Sequence, residues 1–311
     1  MPQNFPEVWL NRVIQNLDNS DEASFLNGIP ELDVPVNQIN KGQMSEKNII
    51  YVPTTEFEVD VLINNNTYPI PVQEYDDDTI TIELDKFQSK VVTLSDDKVI
   101  GASYDKIDTA TKATTRSMLS KKYKKAIHRI APASNTATTP VIKTTGDDDG
   151  TGRKRLTYED LVAFKDACDK AGFDDENRRL VLCGDHWNDL LLDRKRFGNL
   201  LVDYTKGKPA PVIAGFELHR YPVMPVYTVA TKTKKPFGAV KDDGDTYASV
   251  AFVTTRIAKK TGLTKQYYVP AAQNPKGQAN ELAYRHYFIA APYQQRHIGA
   301  IISDTSGGGN A

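Results

Sequence analysis

Two short stretches of strict alternation constrain this chain more than any other feature. Phe57, Val59, Val61 and Ile63 occupy every second position, and so do Ile80, Ile82 and Leu84. Successive strand residues point to opposite faces, so each stretch predicts a half-buried strand. Between them, residues 64–78 hold Asn64-Asn65-Asn66, Pro69, Pro71 and Asp76-Asp77-Asp78, the makings of an acidic turn-rich tip. The pattern predicts one long two-stranded ribbon over 50–85. A lone ribbon is marginal in water. Its apolar face must therefore rest on the remainder of the chain or on a neighbouring copy.

Charge is polarised along the chain, which suits contact with a neighbouring copy but equally describes solubilising charge that clusters, so charge alone does not decide. The 311 residues carry a formal net charge of −1, yet residues 1–100 hold 6 Lys and Arg against 18 Asp and Glu. Residues 101–131 hold 8 against 2, and residues 132–311 hold 25 against 20. Such polarity suits contact between copies, acidic part to basic part. The near-zero total excludes a protein that acts mainly as a polycation. No apolar run approaches the ~18 residues of a membrane helix, and the first twenty residues, with Glu7, Arg12 and Asp18, do not read as a secretory signal. Two cysteines, Cys168 and Cys183, make neither a disulfide framework nor a thiolate cluster, so reduced thiols inside a cell are expected.

Along the chain, residues 1–45 read as an arm. Trp9, Phe25, Leu26 and Leu32 are too widely spaced for a core of their own. From Gly101 to about Ile130 the spacing of Ile107, Ala110, Thr114, Met118 and Ile127 predicts a helix about 45 Å long, ended by Pro132. Its threonines lower propensity, so packing must hold it. Its last third carries Lys121, Lys122, Lys124, Lys125 and Arg129, a basic contact for phosphates or simply a solvated helix end. After a connector containing Gly146-Asp147-Asp148-Asp149-Gly150, Thr157 caps a helix that Gly172 ends. Leu180-Val181-Leu182-Cys183 reads as a buried strand, turning at Gly184-Asp185 into a second helix with Asp185 as its cap. Strands follow over 212–229, broken by Pro222 and Pro225, and over 248–255. Two more, around Tyr287–Ala291 and Ile298–Ile302, turn near Pro292.

Chemistry is sparse. Cys183 and His186 stand at a strand-to-helix turn, where a thiolate nucleophile is conceivable. The preceding Leu-Val-Leu run favours a buried structural cysteine. The five histidines are scattered, and the Asp147–Gly150 stretch lacks the alternating ligands of a calcium loop. No cofactor is expected.

The order of these parts is similar to the major capsid proteins of tailed bacteriophages, the HK97-like fold. The resemblance is carried by the ribbon, the long helix, Leu156-Thr157-Tyr158-Glu159-Asp160-Leu161, Arg179-Leu180-Val181-Leu182, Val212-Ile213-Ala214-Gly215-Phe216-Glu217-Leu218 and Gln295-Arg296-His297-Ile298-Gly299-Ala300-Ile301-Ile302. It implies an α+β fold divided into an N-terminal arm (1–45), an E-loop hairpin (46–98) and a spine helix with P-domain (99–135). An A-domain (136–270) and C-terminal P-domain strands with a tail (271–311) complete it.

The resemblance further implies a structural, non-enzymatic shell protein, built in the host cytoplasm into hexamers and pentamers that form an icosahedral virion around double-stranded DNA. Phe57, Val59, Val61, Ile63, Ile80, Ile82 and Leu84 would then contact neighbouring subunits. Some members carry a scaffolding segment ahead of the arm; here a separate scaffolding protein is expected, with portal and decoration proteins as further partners. Some members cross-link through an E-loop lysine, but residues 64–78 hold none. An encapsulin-like compartment is the alternative within the fold, and a cysteine hydrolase using Cys183 and His186 the alternative outside it.

Overall fold

The computed structural model describes residues 13, 23–39, 47–54, 61, 63–66, 68–70, 78–95, 106–193, 202–203, 208–209, 212–274 and 276–305. A small antiparallel sheet comes first: β1 (Asn37–Ile39), β2 (Lys47–Thr54) and β3 (Asp78–Glu83), in that order. Next come β4 (Asp85–Gln88), β5 (Val92–Ser95) and the long helix α1 (Lys106–Ile130). Its 25 residues make it about 37 Å long. Thr111, Thr115, Met118, Leu119, Lys122, Tyr123, Ala126, Ile127 and Ile130 are buried along it. That three-and-four spacing is one helical face. The face differs from the expected one, since Thr111 and Thr115, not Ala110 and Thr114, lie fully inside. Thr115 donates its hydroxyl to the carbonyl of Thr111 at 2.9 Å, which lets a helix interior accept it.

The central sheet contains β6 (Val141–Lys143), β7 (Arg178–Leu182), β10 (Val212–Ile213), β11 (Phe216–Arg220), β12 (Val226–Thr228), β13 (Thr233–Lys234), β14 (Asp245–Val253) and β17 (Ile298–Ile302). Helix α2 (Tyr158–Lys170) precedes β7, and α3 (Gly184–Leu192) follows it. The pair β8 (Val202–Asp203) and β9 (Lys208–Pro209) forms a separate two-stranded sheet. Strand β7 runs parallel to β11 and antiparallel to β14, and β17 lies on the other edge of β14.

Both faces of this sheet are buried, which is why its strands read as continuous apolar runs. Val181, Ala248, Val250, Phe252, Ile298, Ala300 and Ile302 face the core under α1. Their neighbours Leu180, Leu182, Ala251, Val253 and Ile301 face a second core with Leu161, Phe164 and Cys168 of α2. Gly299 allows the close approach of α2: a Cβ there would sit 2.9 Å from Phe164 Cζ. The expected Thr157 cap forms as a capping box with Asp160, and Gly172 follows the helix at φ +78°.

The third layer is a long hairpin, β15 (Ile257–Val269) and β16 (Ala279–Pro292), with β4 and β5 on the far edge of β16. Strand β15, Ile-Ala-Lys-Lys-Thr-Gly-Leu-Thr-Lys, lacks an alternating apolar pattern, and nothing in its sequence announces it. A border at residue 270 falls inside this hairpin, whose strands pair from 257 to 292. The described arm residues lie on the body: Phe25, Leu26 and Ile29 join the α1 core. Arg179 donates to the carbonyls of Phe25 and Asn27, and Lys260 to that of Leu32 at 2.7 Å.

Candidate assembly interface

The ribbon forms, but with a different first strand. Among the described residues it is Lys47–Thr54 that pairs with Asp78–Glu83, setting Ile50 opposite Ile82 and Val52 opposite Ile80. Phe57 and Val59 lie outside the described residues. Val61 and Ile63 belong to no strand and are 78% and 83% exposed. The chain offered two alternating apolar sets before the tip, Ile50/Val52 and 57–63, and alternation alone does not choose between registers. The amide of Leu84 donates to the carbonyl of Asn48 at 2.9 Å, continuing the β2–β3 pairing.

The base of the ribbon also rests on its own chain. Ile50, Val52, Ile82 and Leu84 are buried against Ala258, Tyr287 and Ile289, with Ile80 packed at the margin. Ile82 and Leu84 are therefore core residues, and the expectation that a neighbour covers this face does not apply to them. Among the described residues of the distal part, Val61, Ile63, Tyr68 and Ile70 are all exposed. Beside the base, a cleft of about 530 Å³ is lined by Ile80, Leu84, Arg129, Tyr287 and Tyr293.

The basic end of α1 separates into two groups. Lys122 is buried, its Nζ 4.3 Å from the centroid of the Phe288 ring. Arg129 pairs with Asp85 of β4 at 2.7 Å. Neither belongs to a free basic surface. Lys121 is exposed, and Lys124 and Lys125 are half-buried, with Nζ 5.6 and 4.6 Å from the centroid of Phe237. Phe237 lies in the loop after β13. The lysines at 232, 234, 235 and 241 were the available signal. Burial, with the charges of Lys234, Lys125 and Lys124 beside it, holds His128 below its ordinary pKa despite the hydrogen bond to the Lys235 carbonyl.

Cys183 is the N-cap of α3, its sulfur accepting from the amide of His186 at 3.5 Å; Asp185, expected in that role, is exposed in the first turn. His186 is hydrogen-bonded to Ser249 Oγ at 2.7 Å and Ser303 Oγ at 2.9 Å. Burial opposes ionisation of both groups, yet thiolate–imidazolium attraction lowers the Cys183 pKa and raises that of His186. A nucleophile needs access, and Cys183 is 3% exposed and His186 0%. The pair ties β7, α3, β14 and the end of β17 together. Below them, Arg153 makes two bonds to Asp189, at 2.7 and 2.8 Å. Among the described residues no group of three or more His, Cys, Asp or Glu is placed to hold a metal ion, and no helix is long and apolar enough to cross a membrane.

A family model described as phage capsid protein matches residues 77–303. The chain belongs to that family. The matched stretch starts just before β3 and runs past β17, taking in the ribbon's return strand, α1, the central sheet with its two helices and the long hairpin. No curated protein matches the chain in sequence. Solved structures carry the likeness to the level of fold. The capsid of cyanophage P-SCSP1u is 14% identical with a TM-score of 0.60, covering 82% of this chain and 83% of that one. The mature capsid of bacteriophage PhiM1 is 12% identical with a TM-score of 0.54, covering 88% and 92%. A virus-like particle from Pyrococcus furiosus is 10% identical with a TM-score of 0.55, covering 95% and 98%. The fold is the HK97-like capsid fold that the order of elements implied. As a member of the capsid family the chain is a structural protein, and the buried Cys183–His186 pair fits that role.

Proposed function

We propose that copies of this capsid protein assemble as hexamers and pentamers into a closed icosahedral shell around double-stranded DNA, in the cytoplasm of a host cell. The observation that carries this reading is the uncovered ribbon tip. Its base is anchored on β15 and β16, while Val61, Ile63, Tyr68 and Ile70 project from the same ribbon exposed. Apolar surface of this kind gains roughly 25 cal/mol per Å² when a neighbouring subunit covers it. Repetition around a ring multiplies the gain. The ribbon then acts as the E-loop, α1 as the spine helix, the β15–β16 hairpin as part of the P-domain, and the sheet with α2 and α3 as the A-domain. A separate scaffolding protein, a portal and decoration proteins are its proposed partners.

Electron microscopy of the purified full-length chain tests the proposal directly: closed shells or capsomer rings are expected, and a monomer at every concentration and salt would defeat it. Hydrogen exchange refines the test. Amides 49–52 and 80–84 should be protected in subunit and shell alike, whereas those of 61–68 and 70 should gain protection only on assembly. No gain at 61–70 would remove the ribbon tip from the contact.

A further inference from the structure

We propose that the last third of α1 and the loop over residues 232–241 form one cationic surface that holds the phosphate backbone of double-stranded DNA. This rests on the reading of the protein as a DNA-enclosing shell and names the part of the subunit that meets the cargo. Residues 121–129 and 231–245 together hold nine Lys and Arg against three Asp, and seven of the nine remain once the buried Lys122 and the Asp85-paired Arg129 are set aside. Two of those Asp, 242 and 245, are already bound by Lys235. Among the described residues no carboxylate pairs with Lys121, Lys124 or Lys125, so three ammonium groups on successive turns keep their charge unspent.

The loop is folded onto the helix. His128 Nε2 is hydrogen-bonded to the Lys235 carbonyl at 2.9 Å, and the rings of His128 and Phe237 meet edge to face at 5.4 Å. Lys124 and Lys125 lie over the same ring. A helix C-terminus normally repels anions, because its last carbonyls carry partial negative charge. Here Lys234 Nζ donates to the carbonyls of His128 (2.8 Å) and Ala131 (2.5 Å) and cancels that repulsion. Burial first, and then the nearby charges of Lys125 and Arg129, push Lys234 down to about 8. An acidic protein segment is the competing occupant. The cores of protein interfaces are depleted of lysine, and the apolar ring at the centre of this patch is already covered by the patch's own cations. Phosphates fit better.

The test uses the full-length chain dissociated to subunits and a short random-sequence DNA duplex, with binding measured from low to moderate salt. Each phosphate contact contributes about 0.9 to the slope of log affinity against log salt. Lys124→Ala/Lys125→Ala should weaken binding severalfold and flatten the slope by about 2, while Lys124→Arg/Lys125→Arg should retain both. The control Lys165→Ala/Lys170→Ala, on exposed lysines of α2, should change neither. An unchanged slope in the alanine variant, an equal change in the control, or no binding by the parent chain would overturn the proposal. So would loss of shells with undiminished DNA binding, which would assign the patch to a neighbouring subunit. Shell formation, scored separately by microscopy, reports on the assembly reading whatever the DNA result.

Discussion

Arg129 and Asp85 form a two-pronged ion pair, Nε to Oδ2 at 2.7 Å and Nη2 to Oδ1 at 2.8 Å. It ties the last turn of α1 to the strand that continues the ribbon. Only the Nη2 contact has hydrogen-bond geometry, and such a charge-assisted bond is stronger than a neutral one, although both partners keep some exposure to water. Arg129→Ala and Asp85→Ala should each cost about 1–2 kcal/mol, lowering the melting temperature of the subunit by a few degrees. In a double-mutant cycle the losses should fall short of additivity. Strict additivity would mean the ribbon base is held by apolar packing alone.

His286 should make the subunit sensitive to mild acid. Its Nδ1 is hydrogen-bonded to Thr264 at 2.9 Å, its Nε2 has no hydrogen-bond partner among the described residues, and burial together with the charge of Lys122 pushes its pKa down to about 3. The unfolded chain binds this proton near pH 6.5 and the folded chain only near pH 3. Stability is therefore complete above about pH 6.5 and is lost as pH falls from there towards 3. The loss across that window is on the order of a few kcal/mol. Denaturant melts of dissociated subunits should show it, and His286→Gln should flatten the curve between those limits. An equal slope in the variant would place the acid sensitivity elsewhere.

Cys183→Ala removes the cap of α3 and should cost about 1 kcal/mol, leaving shell formation intact. Cys183→Ser keeps an acceptor at the cap and should cost less. Thermal melts rank the two. Mass spectrometry after exposure to an activated ester should find Cys183 unmodified in the folded chain, because the thiol is sealed beneath α3. An acyl adduct there would contradict a purely structural role.

Much of the central sheet and its flanking helices was legible because the signals are local. Thr157 and Gly172 delimit α2 through caps that need no distant partner. Leu180–Leu182 and Ile298–Ile302 read as buried strands because both faces of their sheet are covered. The hairpin turn at Ala214-Gly215, with φ of 49° and 81°, lies between β10 and β11 where its residue types suggest it. Strand β15 was invisible for the opposite reason. It is paired with β16 on one edge, and its lysines, among them Lys259 and Lys260, answer to arm carbonyls instead of an apolar alternation.

The sequence by itself determined the order of arm, ribbon, long helix, α/β body and returning strands, since each follows from spacing, caps and punctuation within a few residues. Tertiary structure alone decided which apolar pair closes the ribbon, because Ile50/Val52 and 57–63 have the same period and only Tyr287 and Ile289 on the opposing hairpin reward the first. It also decided the fate of the basic run. Lys122 and Arg129 are chemically no different from Lys124 and Lys125 in the sequence. The ring of Phe288 and the carboxylate of Asp85, both more than forty residues away, draw the first two inward, and nothing of opposite charge among the described residues claims the others. Burial and pairing are properties of what lies across a contact, which one segment read alone does not contain.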